Sequence, residues 1–421
     1  MRKLITVIMI SVTILLESAG IVQARDKDTR ILGYDQTEMQ ENCIEVGIEG
    51  DYNAQADVAL KHMNEIRLEA CQQGVPMPGN PSEKLTMEDY KPLQWSNALE
   101  YVARIRAAEA SVIPEHVRPN GTSCFSVIAP NYVRDSAENL AWNFSRNMVN
   151  AINQWYKEKQ DWVNQKEGAV TGHYTSMINP RYTYVGLGNF YSFQGYYPGT
   201  TCGRFARGSD YDSTAMAEEN NVIQKMHILK SALQNVRIEC DYEISGTTEN
   251  MLAIGDKRQY SLRASTRYQS GGESVMLLGN QKWTSSNPSV ISVSGDGVVT
   301  AKKSGTAMVT ATTGDFTAST TISVLSMKKT KVTSIKAGKR KLTIHWKKIS
   351  QNTTGYQIRY STNKKFVKEK TKQIKGYKKT KVALTKLKKK KKYYVQVRTY
   401  YKFQDEEYYS EWSAVKCKKT K

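Results

Sequence analysis

The chain has 421 residues, which exceeds one ordinary domain and indicates two to four. Its net charge of +21 is unevenly distributed: residues 328–421 carry 31 basic and 5 acidic residues, or +26, so the preceding 327 residues sum to 21 − 26 = −5. No stretch after residue 24 is long and apolar enough to cross a bilayer, so the composition argues against a membrane-spanning protein.

The N-terminus has the pattern of a secretory signal peptide over residues 1–24. Arg2 and Lys3 precede an apolar run at 4–16, and a small-residue cleavage site ends at Ala24. We therefore expect an exported protein, extracellular or associated with a cell envelope. Residues 25–53 are polar and irregular, which is typical of an N-terminal arm that forms either a leader strand or a disordered segment.

The segment at 54–206 mixes helical and strand patterns, which predicts an α+β domain. Ser96 stands directly before an apolar-periodic stretch and is a candidate N-cap. His173 lies in a Gly-His-Tyr turn. The periodicities predict three helices and a strand, at 56–74, 97–112, about 147–162 and 182–193.

The rest of the chain changes character. Residues 207–235 are a polar connector in which 222–233 predicts one short helix. Residues 236–326 and 331–421 are rich in alternating β-branched and aromatic positions. They predict two consecutive all-β, immunoglobulin-like sandwiches.

Four polar residues of the first domain belong to stretches that resemble one family. His116 lies in "EHVRPNGTSCFS", Glu138 in "SAENLAWN", Glu158 in "QWYKEKQDW" and His173 in "TGHYTSM". In this order and spacing they resemble the CAP superfamily (cysteine-rich secretory proteins, antigen 5 and pathogenesis-related 1 proteins), and "HVRPNGTSCF" is similar to bacterial members. The resemblance implies an α-β-α sandwich with a surface cleft lined by these four side chains.

Imidazoles and carboxylates are common ligands of divalent ions, so the same four residues predict a metal site, with zinc favoured. A hydrogen-bonded polar network without metal is the alternative. The resemblance also implies cation binding and a small or lipidic ligand in the cleft. It does not establish an enzymatic activity for the family.

Catalysis is left open by the residues themselves. Two neighbouring carboxylates predict one raised pKa, which makes Glu138 and Glu158 candidate acid–base groups. A metal-dependent hydrolase or protease acting on cell-wall peptides or extracellular proteins is therefore the competing function. The chain lacks HExxH, G-x-S-x-G and Walker A motifs, which favours a binding module.

The six cysteines contain no CxxC pair, which argues against a zinc knuckle. Export permits disulfides. Cys124 with Cys202 is the favoured pair because both lie in the first domain, although the spacing does not determine connectivity and free thiols remain an alternative.

The two sandwiches also resemble known modules. Residues 281–314 are similar to the bacterial Ig-like domain of group 2, with a predicted core of Trp283, Val290, Ile291, Val293, Val298 and Val299. The final segment is similar to a fibronectin type III domain. Leu387 stands six residues before Tyr393, which fits the tyrosine corner of such sandwiches.

The basic tail predicts binding to polyanions. Lysines 388–392 fall where a turn is expected, so they project into solvent. Anionic cell-wall or surface glycan polymers are the predicted partners, and a merely solubilising surface is the alternative. No base-reading motif is present, so we expect no specific nucleic-acid partner.

Overall fold

The computed structural model describes residues 30–33, 38–129, 134–208, 212–241, 250–267, 271–403 and 406–421. The predicted signal peptide lies outside these residues. The chain divides into two compact units. The first unit runs to Arg237 and includes Leu262–Asn280 and Thr313–Phe316, and the second unit contains Ile238–Ser261, Gln281–Thr312 and Thr317–Lys421. Within the described residues, no helix has the length and apolar character needed to span a membrane.

The first unit contains the α-helices of the described chain. They are α1 (Ala56–Gln72), α2 (Asn97–Ala110), α3 (Met148–Tyr156), α4 (Lys159–Val163) and α5 (Gly172–Ile178). The Ser96 hydroxyl accepts a hydrogen bond from the Leu99 amide at 3.3 Å, so this residue caps α2 as its position predicts. The single helix predicted at 147–162 is two helices, and His173 lies on a helix where a turn was expected.

The sheet of the first unit has a central order of five strands: Glu273–Leu278, Cys43–Asn53, Tyr184–Ser192, Gly199–Ala206 and Ala137–Asn143. Other strands at least partly in this unit are Arg30–Leu32, Pro76–Met77, Asn80–Lys84, Gln94–Trp95, Glu219–Leu229, Gln234–Cys240 and Lys257–Arg267. Short 3-10 helices lie at Met87–Asp89, Cys124–Ser126 and Lys230–Ala232.

Helices cover both faces of this sheet. Alternate residues of the strand Tyr184–Ser192 face opposite sides of the sheet, so their contacts show which helices lie on each side. Val185 and Leu187 join the apolar core formed with α1, α3 and α5. Gly186 and Gly188 face α2, where an added Cβ would lie 2.1 Å and 2.3 Å from backbone nitrogens of that helix. The backbones of helix and strand therefore meet directly, and the unit is the α-β-α sandwich that the resemblance implied.

Two strands of this unit bear on the sequence expectations: the first agrees with the leader strand that was one alternative for the arm, and the second contradicts a predicted helix. The arm at 25–53 contains the buried strand Cys43–Asn53, which pairs antiparallel with Glu219–Leu229. The helix predicted at 222–233 is therefore wrong. Val222, Gln224 and Met226 are buried at every second position, and tertiary pairing to a neighbouring strand overrides the local preference.

Part of the segment predicted as the first sandwich also lies in the first unit. Residues 263–267 of Lys257–Arg267 pair with Glu273–Leu278, whose Leu278 pairs with Val46. The Ser274 hydroxyl donates to the Ser111 carbonyl at 2.7 Å. This hairpin thus extends the sheet of the first unit.

The second unit begins with an Ig-like sandwich. One sheet has the order Asn250–Ala253, Phe316–Leu325, Gly305–Thr313 and Lys282–Ser285, while Val298–Ala301 pairs with Ile291–Val293 and with the first residues of Lys257–Arg267. Val290, Ile291 and Val299 are in the core as predicted. Trp283 and Val293 pack against it, whereas Val298 is only half-buried because it neighbours Val299 and faces the other way.

The C-terminal segment is a second sandwich. Its sheets are Val332–Gly338, Lys341–Trp346 and Lys381–Leu384, facing Lys370–Lys375, Gly355–Ser361, Lys392–Phe403 and Glu406–Tyr409, with Lys416–Lys419 beside Lys392–Phe403. Trp346, Leu387 and Tyr393 lie in its core. The Tyr393 hydroxyl accepts a hydrogen bond from the Lys388 amide at 3.0 Å, which is the predicted tyrosine corner.

Candidate functional site

The four polar residues selected from the sequence lie on four different elements. His116 is in the loop after α2, Glu138 is on Ala137–Asn143, Glu158 lies between α3 and α4, and His173 is the second residue of α5. The structure brings them together in two pairs. The imidazole centroids of His116 and His173 are 6.2 Å apart, with 27° between the ring planes.

The first pair joins an exposed imidazole to a buried carboxylate. His116 Nδ1 lies 2.9 Å from Glu138 Oε1, and the side chain of His116 is 52% exposed while that of Glu138 is 1% exposed. An ionised carboxylate only accepts hydrogen bonds, so Nδ1 carries the proton. In the neutral ring, Nε2 is then a free acceptor.

The second pair is organised by the start of α5. Glu158 Oε1 accepts from His173 Nδ1, and Oε2 accepts from the amides of His173 and Tyr174 at 2.9 Å and 3.0 Å. These amides have no partner within the helix, so the carboxylate satisfies two of its free N–H groups. Trp155 packs beside the imidazole, at 6.5 Å between ring centroids. The ring of His173 is therefore fixed in tautomer and orientation.

Neither Nε2 atom has a hydrogen-bond partner in the described part of the chain, so each of the two neighbouring rings has a nitrogen lone pair available. Across the same residues, no group of three or more His, Cys, Asp or Glu side chains is placed to hold a metal ion. Each imidazole is a candidate metal ligand through its Nε2 atom. The two carboxylates then orient the rings from behind, as is common for metal-bound histidines.

Two arginines hold the second oxygen of Glu138. Arg106 Nε donates to Oε2 at 2.8 Å, and Arg204 Nη1 donates to the same oxygen. Burial by itself raises the pKa of this carboxyl. The hydrogen bonds from His116 and Arg106 and the neighbouring guanidinium charges outweigh burial and hold the pKa of Glu138 well below its usual range. The raised pKa predicted for a catalytic acid is not found at this residue.

Three family models match successive parts of the chain. The cysteine-rich secretory protein family (CAP) matches residues 60–203, the bacterial Ig-like domain (group 2) matches 247–325, and the fibronectin type III domain matches 329–415. The chain carries a CAP domain followed by Ig-like and fibronectin type III domains. This order agrees with the resemblances in the sequence. All four candidate residues lie within the CAP match.

Solved structures give further similarities. A fibronectin type III domain of human contactin 1 is 16% identical, with a TM-score of 0.19, and the match covers 23% of this chain and 79% of that chain. The FN1–FN3 domains of chicken CNTN1 are 12% identical, with a TM-score of 0.26 and coverage of 54% and 81%. An intimin mutant of EHEC O157:H7 is 21% identical, with a TM-score of 0.17 and coverage of 24% and 54%. A search of curated proteins found no match.

The CAP site rests on a buried charge network that sequence reasoning missed. Arg106 Nη1 donates to Glu109 Oε2 at 2.8 Å, and Arg118 Nη2 donates to Glu109 Oε1 at 2.7 Å. Arg204 is also paired with Asp135. The signal available in the sequence is the charged residues inside the apolar helix sequence "YVARIRAAEA", but Asp135, Glu138 and Arg204, which complete the network, are remote from it in the sequence.

A further buried arginine holds the C-terminal end of α5 in position. Arg67 donates to the carbonyls of Met177 at 2.8 Å and Asn179 at 3.0 Å, at the C-terminal end of α5, and to those of Lys91 and Tyr182. Its partners are carbonyls rather than a carboxylate, and burial lowers the pKa of Arg67 to about 10. The residue ties the helix that carries His173 to α1.

The disulfide expected between Cys124 and Cys202 is absent, since all six cysteines are free thiols in the structure. Cys202 lies on a buried strand and its thiol donates to Glu138 Oε2 at 3.7 Å. Burial raises the pKa of both thiols, so they stay protonated. The favoured pairing was wrong because sharing a domain does not orient two side chains toward each other.

Proposed function

We propose that this protein is exported and held at a bacterial cell envelope, where its CAP cleft binds a divalent cation, zinc in the first instance, together with a small or lipidic ligand. The pair of imidazoles 6.2 Å apart, each with Nδ1 bound to a carboxylate, carries this proposal. The three domain types are consistent with an extracellular, adhesion-type protein.

The chemistry of the pair supports a cation. Each carboxylate holds its imidazole with Nδ1 protonated, so Nε2 keeps the lone pair that a metal needs. The remaining coordination positions are open to water or to a ligand atom, as in open zinc sites. A bound zinc supplies positive charge to which a carbonyl or anionic group of the ligand binds. The half-exposed His116 leaves the position accessible from solvent.

Binding is favoured over hydrolysis by the state of the carboxylates. Glu138 is ionised and bonded to two arginines and His116. Glu158 already accepts three hydrogen bonds from the first residues of α5. Neither carboxylate is free to exchange protons with a substrate, which a metal-dependent hydrolase needs from its general base.

Zinc titration of the metal-free full chain by calorimetry tests the cleft. We expect one zinc per chain, with binding lost in the His116→Ala/His173→Ala double variant. His62→Ala is a matched control, because His62 is on the surface of α1 and bonds Asn153 instead. Unchanged zinc uptake by the double variant would contradict the proposal. Hydrolysis of casein or peptidoglycan peptides that Glu158→Ala abolishes would favour the hydrolase.

Retention at the envelope is the second part of the proposal. The C-terminal domain carries the chain's excess positive charge, and the partners proposed for it are anionic wall or surface polymers. Attraction of this kind weakens steeply as salt rises from about 50 to 200 mM. Retention on isolated envelopes that does not change with salt would contradict it.

A further inference from the structure

Three segments of the fibronectin type III domain meet at one end of its sandwich, although about eighty positions separate the first from the last. They are the hairpin at 338–341, the turn at 386–392 and the terminal stretch at 416–421. The strands that these segments begin or end place them together, since Lys392 pairs with Lys419 and Gly338 pairs with Lys341.

Backbone hydrogen bonds fix the three segments to one another. The Arg340 amide donates to the Lys421 carbonyl at 3.2 Å, and the Leu387 amide donates to the Arg340 carbonyl at 3.1 Å. The Thr420 amide donates to the Lys391 carbonyl at 3.0 Å, and the Thr420 hydroxyl donates to the Lys388 carbonyl at 2.7 Å. The juxtaposition therefore belongs to the fold and does not depend on a flexible tail.

Every charged side chain on these segments is positive. They carry twelve lysines and one arginine and no acidic residue. All thirteen side chains belong to exposed residues, and in the described part of the chain none of them forms an ion pair. We call this set the cationic end: Lys339, Arg340, Lys341, Lys386, Lys388, Lys389, Lys390, Lys391, Lys392, Lys416, Lys418, Lys419 and Lys421.

The acidic side chains that the structure describes in this domain form their contacts away from the cationic end. Glu369 pairs with Arg359, and Glu411 pairs with Lys329. Glu407 accepts hydrogen bonds from Gln373 and from a tyrosine. None of these three carboxylates contacts the cationic end, so no acidic side chain that the structure describes in this domain neutralises its field locally.

We infer that the cationic end is the polymer-binding site of this protein and that its partner is a linear polyol phosphate, a phosphodiester polymer without bases. The inference rests on the attachment part of the proposed function and does not depend on the metal. It assigns the binding to one end of one domain, where the proposed function names only the domain's overall charge.

The residue types favour this partner. Lysine binds phosphate as a point charge, and only one residue of the thirteen is an arginine, whose planar fork could hold a carboxylate or phosphate in a bidentate geometry. Groove readers of duplex DNA commonly present a helix or ribbon, and single-strand binders stack bases on aromatic rings. The cationic end consists of turns and strand ends. Tyr393 beside it is buried in the core, and the ring of the half-buried Tyr394 already has Lys392 Nζ over it, at 5.5 Å from the ring centroid.

Two variants of the full chain distinguish the effect of charge at the cationic end from the effect of the domain's overall charge. The end variant replaces five lysines of the cationic end with glutamine: Lys339, Lys389, Lys390, Lys418 and Lys419. The control variant replaces five exposed lysines at the other ends of the same strands or in the loops that follow them: Lys347, Lys375, Lys378, Lys379 and Lys381. Both lose the same charge. Each is titrated with synthetic poly(glycerol phosphate) at several salt concentrations.

We expect the end variant to bind at least about tenfold more weakly than wild type, with a salt slope smaller by about three, at roughly 0.7 per lost phosphate contact. The control variant should keep most of the affinity and slope. The reaction of Cys417 with a neutral maleimide provides a local readout, because this exposed thiol lies between Lys416 and Lys418. Bound polymer should slow this reaction several-fold in wild type and in the control variant, but not in the end variant.

Equal losses in both variants would overturn the assignment to this end. Tighter binding of heparin or duplex DNA than of poly(glycerol phosphate), at equal charge, would overturn the polymer class. Zinc titration of the end variant distinguishes the two proposals, since its CAP site is unchanged. An end variant that still binds zinc but no longer binds the polymer supports this inference, independently of which ligand the CAP cleft binds.

Discussion

Replacing Glu138 with glutamine removes a charge that two arginines and His116 share. The carboxylate accepts four charge-assisted or imidazole hydrogen bonds: from Arg106 Nε and Nη2, from Arg204 Nη1 and from His116 Nδ1. A glutamine keeps one oxygen and turns an NH₂ group toward these donors. Losing two bonds to charged groups costs about 3–6 kcal/mol, and breaking a buried ion pair costs about 3–5 kcal/mol, so we expect about 4 kcal/mol.

Urea unfolding at neutral pH measures this loss, with hydrogen exchange of a peptide over residues 137–143 reporting on the CAP sheet. Glu65→Gln is the matched control, because Glu65 is 59% exposed and its pairs with Lys61 and His62 lie on the surface. We expect that control to change the free energy of unfolding by less than about 0.5 kcal/mol. A loss below about 1 kcal/mol in Glu138→Gln would refute the account of the network.

The same carboxyl makes stability depend on pH in a predictable direction. Its pKa in the folded state is below the unfolded value, so its contribution is complete above the unfolded pKa and is lost as the pH falls toward the folded pKa. We therefore expect wild type to lose unfolding free energy below about pH 4.5. Glu138→Gln should show a weaker dependence over that range, and an identical dependence would contradict the assignment.

Three further predictions concern the first unit. Arg67→Met leaves one buried and three part-buried carbonyls without their donor and should cost about 3 kcal/mol of unfolding free energy in urea titration, with less helical signal from α5. A fragment ending at residue 208 lacks Glu219–Leu229, the long antiparallel neighbour of Cys43–Asn53, so circular dichroism should show that this fragment is aggregated or unfolded. A fragment ending at residue 326 contains both strands and should unfold cooperatively. Cys124 and Cys202 should react with a thiol reagent only in denaturant, and intact mass should not change on reduction.

Local signals in the sequence were sufficient for much of the architecture. The apolar period and the Ser96 cap predicted α2, and the spacing of Leu387 and Tyr393 predicted the tyrosine corner. Motif resemblance placed three domains in order and selected the four cleft residues. Such signals are legible because a cap, a turn or an amphipathic period depends on residues only a few positions apart.

Other features depended on partners far along the chain. The segment at 222–233 has a helical composition, yet it is a strand because Cys43–Asn53 supplies hydrogen bonds along its edge. The raised pKa predicted for one of the two carboxylates is not that of Glu138, whose pKa is lowered by arginines on α2 and on Gly199–Ala206. Buried electrostatics follow distance in space, which the sequence does not record.

The positive charge of the tail was evident from the sequence, whereas its concentration at one end of a sandwich was not. Counting residues is sufficient to determine the net charge, and a repeating pattern of residues is sufficient to predict a strand. Which lysines become neighbours depends on strand register, and only hydrogen bonding between strands determines it. For the same reason, motifs identify the four candidate residues, whereas only the folded chain determines how the two imidazoles among them are oriented.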